Sequence, residues 1–448
     1  MKMASKNYYD VTEWHVGNPY TDIGEVLNSI IADIKSRQKD TDHNEEGKPG
    51  AVIYIPSGDY HLRTQVLIDI SYLKIQGSGH GFVSSSIRFN VPQDQWKDLH
   101  ELWPGGSRIL VDLKPGEEEY TGAAFLVKRE GDPRISSVEF ENFCIDGLHF
   151  VDDGSGDPEN TYLNGKTGIY IASAQDSFRI TGMGIIYLEH GVTTYNSDAL
   201  SIHDNFIAEC GNCVELREAG QASKITDNLM GAGYRGYSIY AQNFGGLLVA
   251  SNNIFPRGTS SVHFSGVLRS SITGNRFHSF YPGMLVFENN CTENLVSSNH
   301  FLRDHEPWPP MQGYDNGLED DYGLLRIEGT NNSIIANHIS ETIDTKYLKP
   351  EGCVPSIIHL VSGTGNYIAS NHIVATTQNT QEKAAGEDSC FDAQVGALLS
   401  VSELQELPVI AVLVEKESVK NVVLDTGRDS QIRMDRSKNV CRGIPKLM

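Results

Sequence analysis

Hydrophobic residues follow three successive rhythms along this chain. Between residues 21 and 37, Ile23, Val26, Leu27, Ile30, Ile31 and Ile34 recur at spacings of three and one, which predicts one amphipathic helix. Asp22 and Glu25 are placed to form a capping box at its start. From Ala51 to Leu62 the pattern becomes a strand, a turn at Pro56-Ser57-Gly58 and a second strand. From about residue 138 a longer period takes over, and that period decides the fold class.

Asn205, Asn228, Asn253, Asn275 and Asn299 are separated by 23, 25, 22 and 24 residues, with apolar residues close beside each. The same phrase returns at Asn332-Ser333-Ile334-Ile335-Ala336-Asn337-His338-Ile339 and at Asn366-Tyr367-Ile368-Ala369-Ser370-Asn371-His372-Ile373. A repeat of about two dozen residues, made of short β-branched strands and Gly/Asn turns without a helical period, suits coils of a parallel β-helix better than leucine-rich repeats or propeller blades. Amides at equivalent turns can then stack as a ladder and satisfy backbone groups that the strands leave open. The solenoid so predicted is all-β, with the 21–37 helix capping one end. Its divisions are an N-terminal segment (1–50), a β-helix core (51–375) and a C-terminal region (376–448). In the last, 376–389 reads as a loop, Asp392–Leu407 as a weak helix, and 409–414 and 421–424 as closing strands.

The register also names a second strand in each coil, at 192–195, 213–217, 238–242, 261–265 and 284–288. Alternation puts Val214 and Leu216 inside and Cys213, Glu215 and Arg217 outside. Tyr240, Gln242, His263 and Glu288 join the same outer face. Aromatic faces for sugar rings beside hydrogen-bonding groups for hydroxyls make it a candidate carbohydrate surface; a solvated face or a subunit interface would read the same. The insertion 302–322, with Asp304-His305-Glu306-Pro307-Trp308-Pro309-Pro310, is placed to overhang such a site.

Charge narrows the partners. With 58 acidic against 36 basic side chains the formal net charge is −22, which repels phosphate backbones, so nucleic acid is not an expected partner. No run approaches the eighteen apolar residues of a membrane span, so no membrane partner is expected either. The seven cysteines form an odd, dilute set, expected to be mostly reduced and buried. The N-terminus lacks the apolar core of a signal peptide, so the chain as written reads as cytoplasmic, or as secreted if a leader has been removed.

Several constellations fall away on inspection. Cys210-Gly211-Asn212-Cys213 has half the spacing of a zinc site and no second half, and reads as two turn cysteines. Gly77-Ser78-Gly79-His80-Gly81 is followed by neither a helical pattern nor Lys-Ser/Thr, and Asp152–Asp157 lacks the remaining ligands of a calcium loop. The histidines show no metal-ligand spacing, and His338 and His372 read as structural turn residues; no metal site and no cofactor is expected. Carboxylates remain. Asp198, Asp204, Glu209 and Glu215 fall within one coil and its boundary, the residue type for general acid and base work on a glycosidic bond.

Asn18–Asp22, Ile55–Arg63, Phe140–Gly147, Ile202–Cys213 and His278–Met284 together resemble the inulin fructotransferases of glycoside hydrolase family ninety-one. That resemblance implies a right-handed β-helix, a homotrimer, and an active site where two subunits meet. It implies action on β-2,1-fructans: release of the terminal two fructose units as difructose anhydride III (DFA III) by lyase-type intramolecular fructosyl transfer, with no cofactor. Close relatives instead hydrolyse DFA III to inulobiose, and this is the alternative activity; a non-enzymatic, trimeric sugar-binding β-helix is a more distant one.

The resemblance also implies a catalytic Asp followed eleven residues later by a Glu. Two placements fit, Asp198 with Glu209 and Asp204 with Glu215. Asp204 repeats as Asp227, each directly before a ladder asparagine, which suggests a turn role, so Asp198 and Glu209 are the first choice and Asp204 and Glu215 the second. Arg217, Tyr240, Gln242, His263 and Glu288 are the expected substrate-binding residues.

Overall fold

The computed structural model describes residues 7–37, 50–81, 105–129, 131, 134–148, 163–172, 176–232, 236–255, 260–304, 317–344, 354–378, 405–424 and 431–442. The chain divides into two compact units, one formed by Met1–Val151 with Glu159–Met230 and the other beginning, among the described residues, at Gly231. Each unit is a right-handed parallel β-helix. Among the described residues, the regular coils of each unit contribute one short strand to each of three sheets, designated here A, B and C, in the order A, B, C along the chain.

In the first unit the helix Ile23–Arg37 closes the starting coil, burying Ile23, Val26, Leu27, Ile30, Ile31 and Ile34 as the spacing predicts. The capping differs from the expected box. Asp22 Oδ1 accepts from the Gly24 amide (3.0 Å) and from the amides of Arg63 (3.1 Å) and Thr64 (3.2 Å), while the Asp22 amide donates to the Asn18 carbonyl instead. Burial alone would raise the Asp22 carboxyl; hydrogen bonds from Thr64, Arg63 and Gly24 hold it below its ordinary value. The helix sits so close to the first coil that a Cβ at Gly24 would lie 1.8 Å from the Thr64 carbonyl oxygen. The N-terminal segment also supplies a strand that the sequence pattern did not announce, Tyr8–Asp10, paired in parallel with Ala51–Ile55 in sheet A.

Amide ladders hold the corners. In the first unit Asn205 Nδ2 donates to Asn228 Oδ1 (2.9 Å) and to the Ile180 carbonyl (2.9 Å). In the second, Asn252, Asn275, Asn299, Asn337 and Asn371 form one column between sheets A and B, each Nδ2 reaching the next Oδ1 at 2.9–3.0 Å. Asn253, expected in that column, is instead an exposed strand residue, and its neighbour Asn252, 2% exposed, takes the rung. Asn294, Asn332, Asn366, Asn421 and Asn439 form a second column between sheets C and A. Buried amides in such a column leave few corner carbonyls and N–H groups unsatisfied, which is what permits tight turns inside a closed stack.

Inside the coils the rungs are apolar: Phe277 stacks on Phe301 at 4.6 Å and Phe264 on Phe287 at 5.5 Å, both nearly coplanar. A buried cluster in the second unit is charged. Arg303, on the B strand His300–Asp304, donates from Nη1 to Glu341 Oε1 (2.9 Å), from Nη2 to Asp320 Oδ1 (2.7 Å) and from Nε to the Phe280 carbonyl (3.2 Å). Asp320 lies in the short 3-10 helix Asp320–Tyr322, so the end of the 302–322 insertion is drawn inward against the coil; residues 305–316 lie outside the described residues. Burial raises the Glu341 carboxyl to about 7 against the pull of Arg303.

Closing strands form at Ile410–Val414 and Val422–Leu424. Most of the expected 392–407 helix lies outside the described residues; of its end, Gln405–Glu406 is a short strand antiparallel to Thr376–Thr377.

Candidate functional site

The outer face of sheet C in the first unit gathers a dense set of polar groups. Parallel register places Thr167, His190 and Asn212 in one column, Tyr170, Thr193 and Glu215 in the next, and Tyr195 beside Arg217. Glu215 is only 2% exposed. Its Oε2 receives His190 Nδ1 at 2.6 Å and Thr193 Oγ1 at 3.0 Å, and its Oε1 receives Asn212 Nδ2 at 3.3 Å together with the Arg217 guanidinium. Arg217 Nη1 also donates to Tyr195 Oη (2.9 Å) and lies 2.8 Å from Glu119 Oε1. Tyr170 and Tyr195 follow one another at 5.6 Å, with Tyr120 6.2 Å from Tyr170.

The electrostatics follow from this packing. Burial would raise the Glu215 carboxyl, but His190 and Arg217 pull it below its ordinary value. Burial would lower His190, and Glu215, with Glu119 and Glu189 each 3.8 Å from Nε2, raises it instead. The pairing thus favours the anionic form of Glu215 and the cationic form of His190, a pair suited to orienting a polar ligand. Glu119, Glu189, His190 and Tyr170 were not picked out from the sequence.

The first-choice pair is not brought together within one chain. Asp198 lies in the turn after the C strand His190–Tyr195; its Oδ2 accepts from Arg134 Nη1 (2.7 Å) and its Oδ1 from the Gln221 amide (2.9 Å). Glu209, 4% exposed, lies near the end of the B strand Phe206–Cys210, just ahead of the next C strand. A six-residue strand at about 3.3 Å per residue separates the two positions by about 20 Å, whereas paired glycosidase carboxyls stand about 5–9.5 Å apart. Asp198 also has a counterpart one coil earlier, since Asp176 bridges to it in parallel. Asp204, at φ 56° with an exposed carboxylate beside His203, repeats as Asp227 at φ 60°, as a turn role requires.

Beside Asp198 the outer face of sheet A carries a cleft of about 620 Å³, lined by Glu139, Arg179, Ala199, Ser201, His203 and Lys224 among others. A volume in this range admits a disaccharide.

In the second unit three of the expected binding residues do meet. Tyr240 and His263 have ring centroids 5.6 Å apart, and His263 Nε2 lies 3.0 Å from Glu288 Oε1. Gln242 lies in the adjoining column with Ser265 and Glu288. Cys213 departs from the outward orientation that alternation predicts. It is fully buried, its Sγ 3.4 Å from the Ile207 carbonyl, because the strand departs from regular alternation at its first residues, leaving Asn212 and Glu215 on one side. Cys210 is buried as well, which pushes its thiol up to about 12.

A family model described as the beta helix repeat of inulin fructotransferase matches residues 298–445, and one described as periplasmic copper-binding protein (NosD) matches 143–308. Fold and repeat together define the class, a right-handed parallel β-helix protein. An inulin fructotransferase [DFA-I-forming] of Arthrobacter globiformis is 42% identical over 373 residues, covering 82% of this chain and 89% of that protein. The chain belongs to the inulin fructotransferase family. It is also 65% identical to the DFA-IIIase of Arthrobacter chlorophenolicus A6 solved in complex with DFA-III, with 99% of each chain covered and a TM-score of 0.91. The same enzyme in complex with GF2 gives 65% identity and a TM-score of 0.90 over 99% of this chain and 100% of that one.

Proposed function

We propose that this chain hydrolyses DFA III to inulobiose. The observation that carries the reading is the 65% identity, over 99% of both chains, to a DFA-IIIase solved with DFA-III bound, against 42% to the DFA-I-forming transferase. Opening the dianhydride requires a proton on the departing interfructosyl oxygen and removal of a proton from the attacking water. The cleft beside Asp198 is of the right size for the substrate.

Asp198 and Glu209 are the proposed reacting carboxyls, with the site completed by a second copy in a homotrimer. In a cyclic trimer the contacts are heterologous, so one edge of a subunit meets a different edge of the next. Two residues of one coil share a height along the stack. Rotation about a parallel three-fold axis therefore keeps Asp198 of one copy level with Glu209 of its neighbour, across a gap that no single chain closes. Glu209, shielded from water, takes the role of proton donor, and Asp198 that of base.

The second reading, DFA III-forming transfer on inulin, is favoured by the family relation to inulin fructotransferases. Incubating the protein separately with DFA III and with inulin distinguishes them. Hydrolysis predicts a reducing disaccharide from the first and no cyclic product from the second; a cyclic, non-reducing disaccharide from inulin with DFA III left intact establishes transfer instead.

A further inference from the structure

Three histidines stand in one column on sheet B of the second unit. His300, His338 and His372 are paired residue for residue on adjacent parallel strands. Each directly follows a ladder asparagine, Asn299, Asn337 and Asn371. They are strand residues rather than turn residues. The buried rungs beneath them fix the spacing of the three strands, so the rings are held by backbone that other contacts already determine.

The His338 and His372 rings converge through the same atom, with Nδ1 of one 3.0 Å from Nδ1 of the other. His338 Nε2 lies 3.0 Å from Ser340 Oγ on its own strand. A hydrogen bond from Nε2–H to that hydroxyl leaves His338 Nδ1 bare and aims it at its partner, the arrangement that orients a metal-ligating imidazole.

The geometry points to a two-histidine site for a divalent transition-metal ion on this sheet, with His338 and His372 as ligands through Nδ1. Metal–nitrogen bonds of about 2.0–2.1 Å put two ligand atoms about 2.9 Å apart in cis positions at a right angle and about 3.3 Å apart at a tetrahedral centre. The separation of 3.0 Å matches the former. Imidazole is a borderline donor, and copper(II) is the divalent first-row ion that such donors hold most tightly. Among the described residues no group of three or more candidate donors is assembled, so water completes the shell. His300, whose ring meets that of His338 edge-on at 5.0 Å, acts as a packing neighbour. Bound there, an ion cross-links two successive coils of the second unit.

Equilibrium dialysis of the untagged full chain against copper(II) and zinc(II), with copper(II) electron paramagnetic resonance, tests the site. One copper ion per chain is expected, with a spectrum showing two nitrogen ligands, and with zinc(II) bound more weakly. His338→Ala and His372→Ala should each weaken copper binding at least tenfold, while His61→Ala, on the first unit, should leave it unchanged. His372→Gln, closer in shape, should weaken it as much as His372→Ala, and retained circular dichroism and sugar turnover show that the variants fold. Absence of stoichiometric uptake, or uptake that survives both alanine substitutions in folded protein, overturns the assignment.

Discussion

His190 Nδ1 and Glu215 Oε2 lie 2.6 Å apart on the outer face of sheet C, in a setting where Glu215 is almost wholly withdrawn from water. A buried pair of this kind couples the polar face to the stability of the coil beneath. Because each partner depends on the other for its charge, losing one leaves the other buried and uncompensated.

Stability should therefore respond to pH at both ends. Glu215 is depressed from 4.5, so its contribution is complete above that value and disappears as pH falls through the folded value. His190 is raised from 6.5, so its contribution is complete below that value and disappears as pH rises through the folded one. Both are present between 4.5 and 6.5. Glu215→Gln should cost about 3 kcal/mol within that window and flatten the acid side of the profile, as measured by thermal denaturation from pH 3 to 9. An unchanged profile would remove the pair from the stability of the coil.

The proposed division of the reacting carboxyls between copies makes a sharper demand. Asp198→Asn and Glu209→Gln should each lower turnover of DFA III by at least 10³-fold, a barrier increase of about 4 kcal/mol, with assembly retained. Co-refolded mixtures of the two inactive variants should regain activity, because some junctions then combine an intact Asp198 with an intact Glu209. If the mixtures stay inactive although mixed oligomers form, the two residues do not act across copies.

The ladder can be probed at one rung against its neighbour in sequence. Asn299 Nδ2 donates to Asn337 Oδ1 and to the Ile272 carbonyl, while its Oδ1 receives Asn275. Asn299→Ala should destabilise the protein by about 2–4 kcal/mol, since each buried group left unsatisfied costs about 1–3 kcal/mol. Asn253→Ala, on an exposed position, should fall within about 0.5 kcal/mol of the parent. Chemical denaturation of the two variants reads the difference; equal losses would mean that the column does not carry the corner.

Glu341 should act in the opposite sense to Glu215. Its folded value, raised to about 7 from 4.5, means that the folded chain holds a proton which the unfolded chain has released, so stability declines as pH rises across that interval. Glu341→Gln should remove this decline, visible as a smaller difference in melting temperature between pH 5 and pH 8. A variant with the parent's slope would show that another group titrates there.

The coil architecture was readable because a corner amide cannot move without leaving a buried backbone group unsatisfied, so its spacing survives even where insertions lengthen a coil. The error of one residue at Asn253 shows what was overlooked. Elsewhere the ladder asparagine precedes an inward residue by two, as in Asn275 with Phe277, Asn299 with Phe301 and Asn337 with Ile339. Ile254 marks Asn252 by the same rule. The polar face was less readable. Glu215 and Arg217 follow from alternation within one strand, whereas Glu119 reaches Arg217 from 98 residues away along the chain, across irregular coils whose register no period announces. The eleven-residue spacing that the family resemblance implies for Asp198 and Glu209 is, in a coil of 22 or 23 residues, half a circuit.

The helix Ile23–Arg37 has a further consequence for the molecule's behaviour in bulk. A stack of parallel strands exposes unsatisfied donors and acceptors at its ends, and such a surface recruits more strands. With Gly24 pressed against Thr64 and six aliphatic side chains laid over the first coil, the helix covers that coil, while Tyr8–Asp10 is the outermost strand of sheet A there. A helix so placed opposes lengthwise addition of further strands over the part of the coil that it covers.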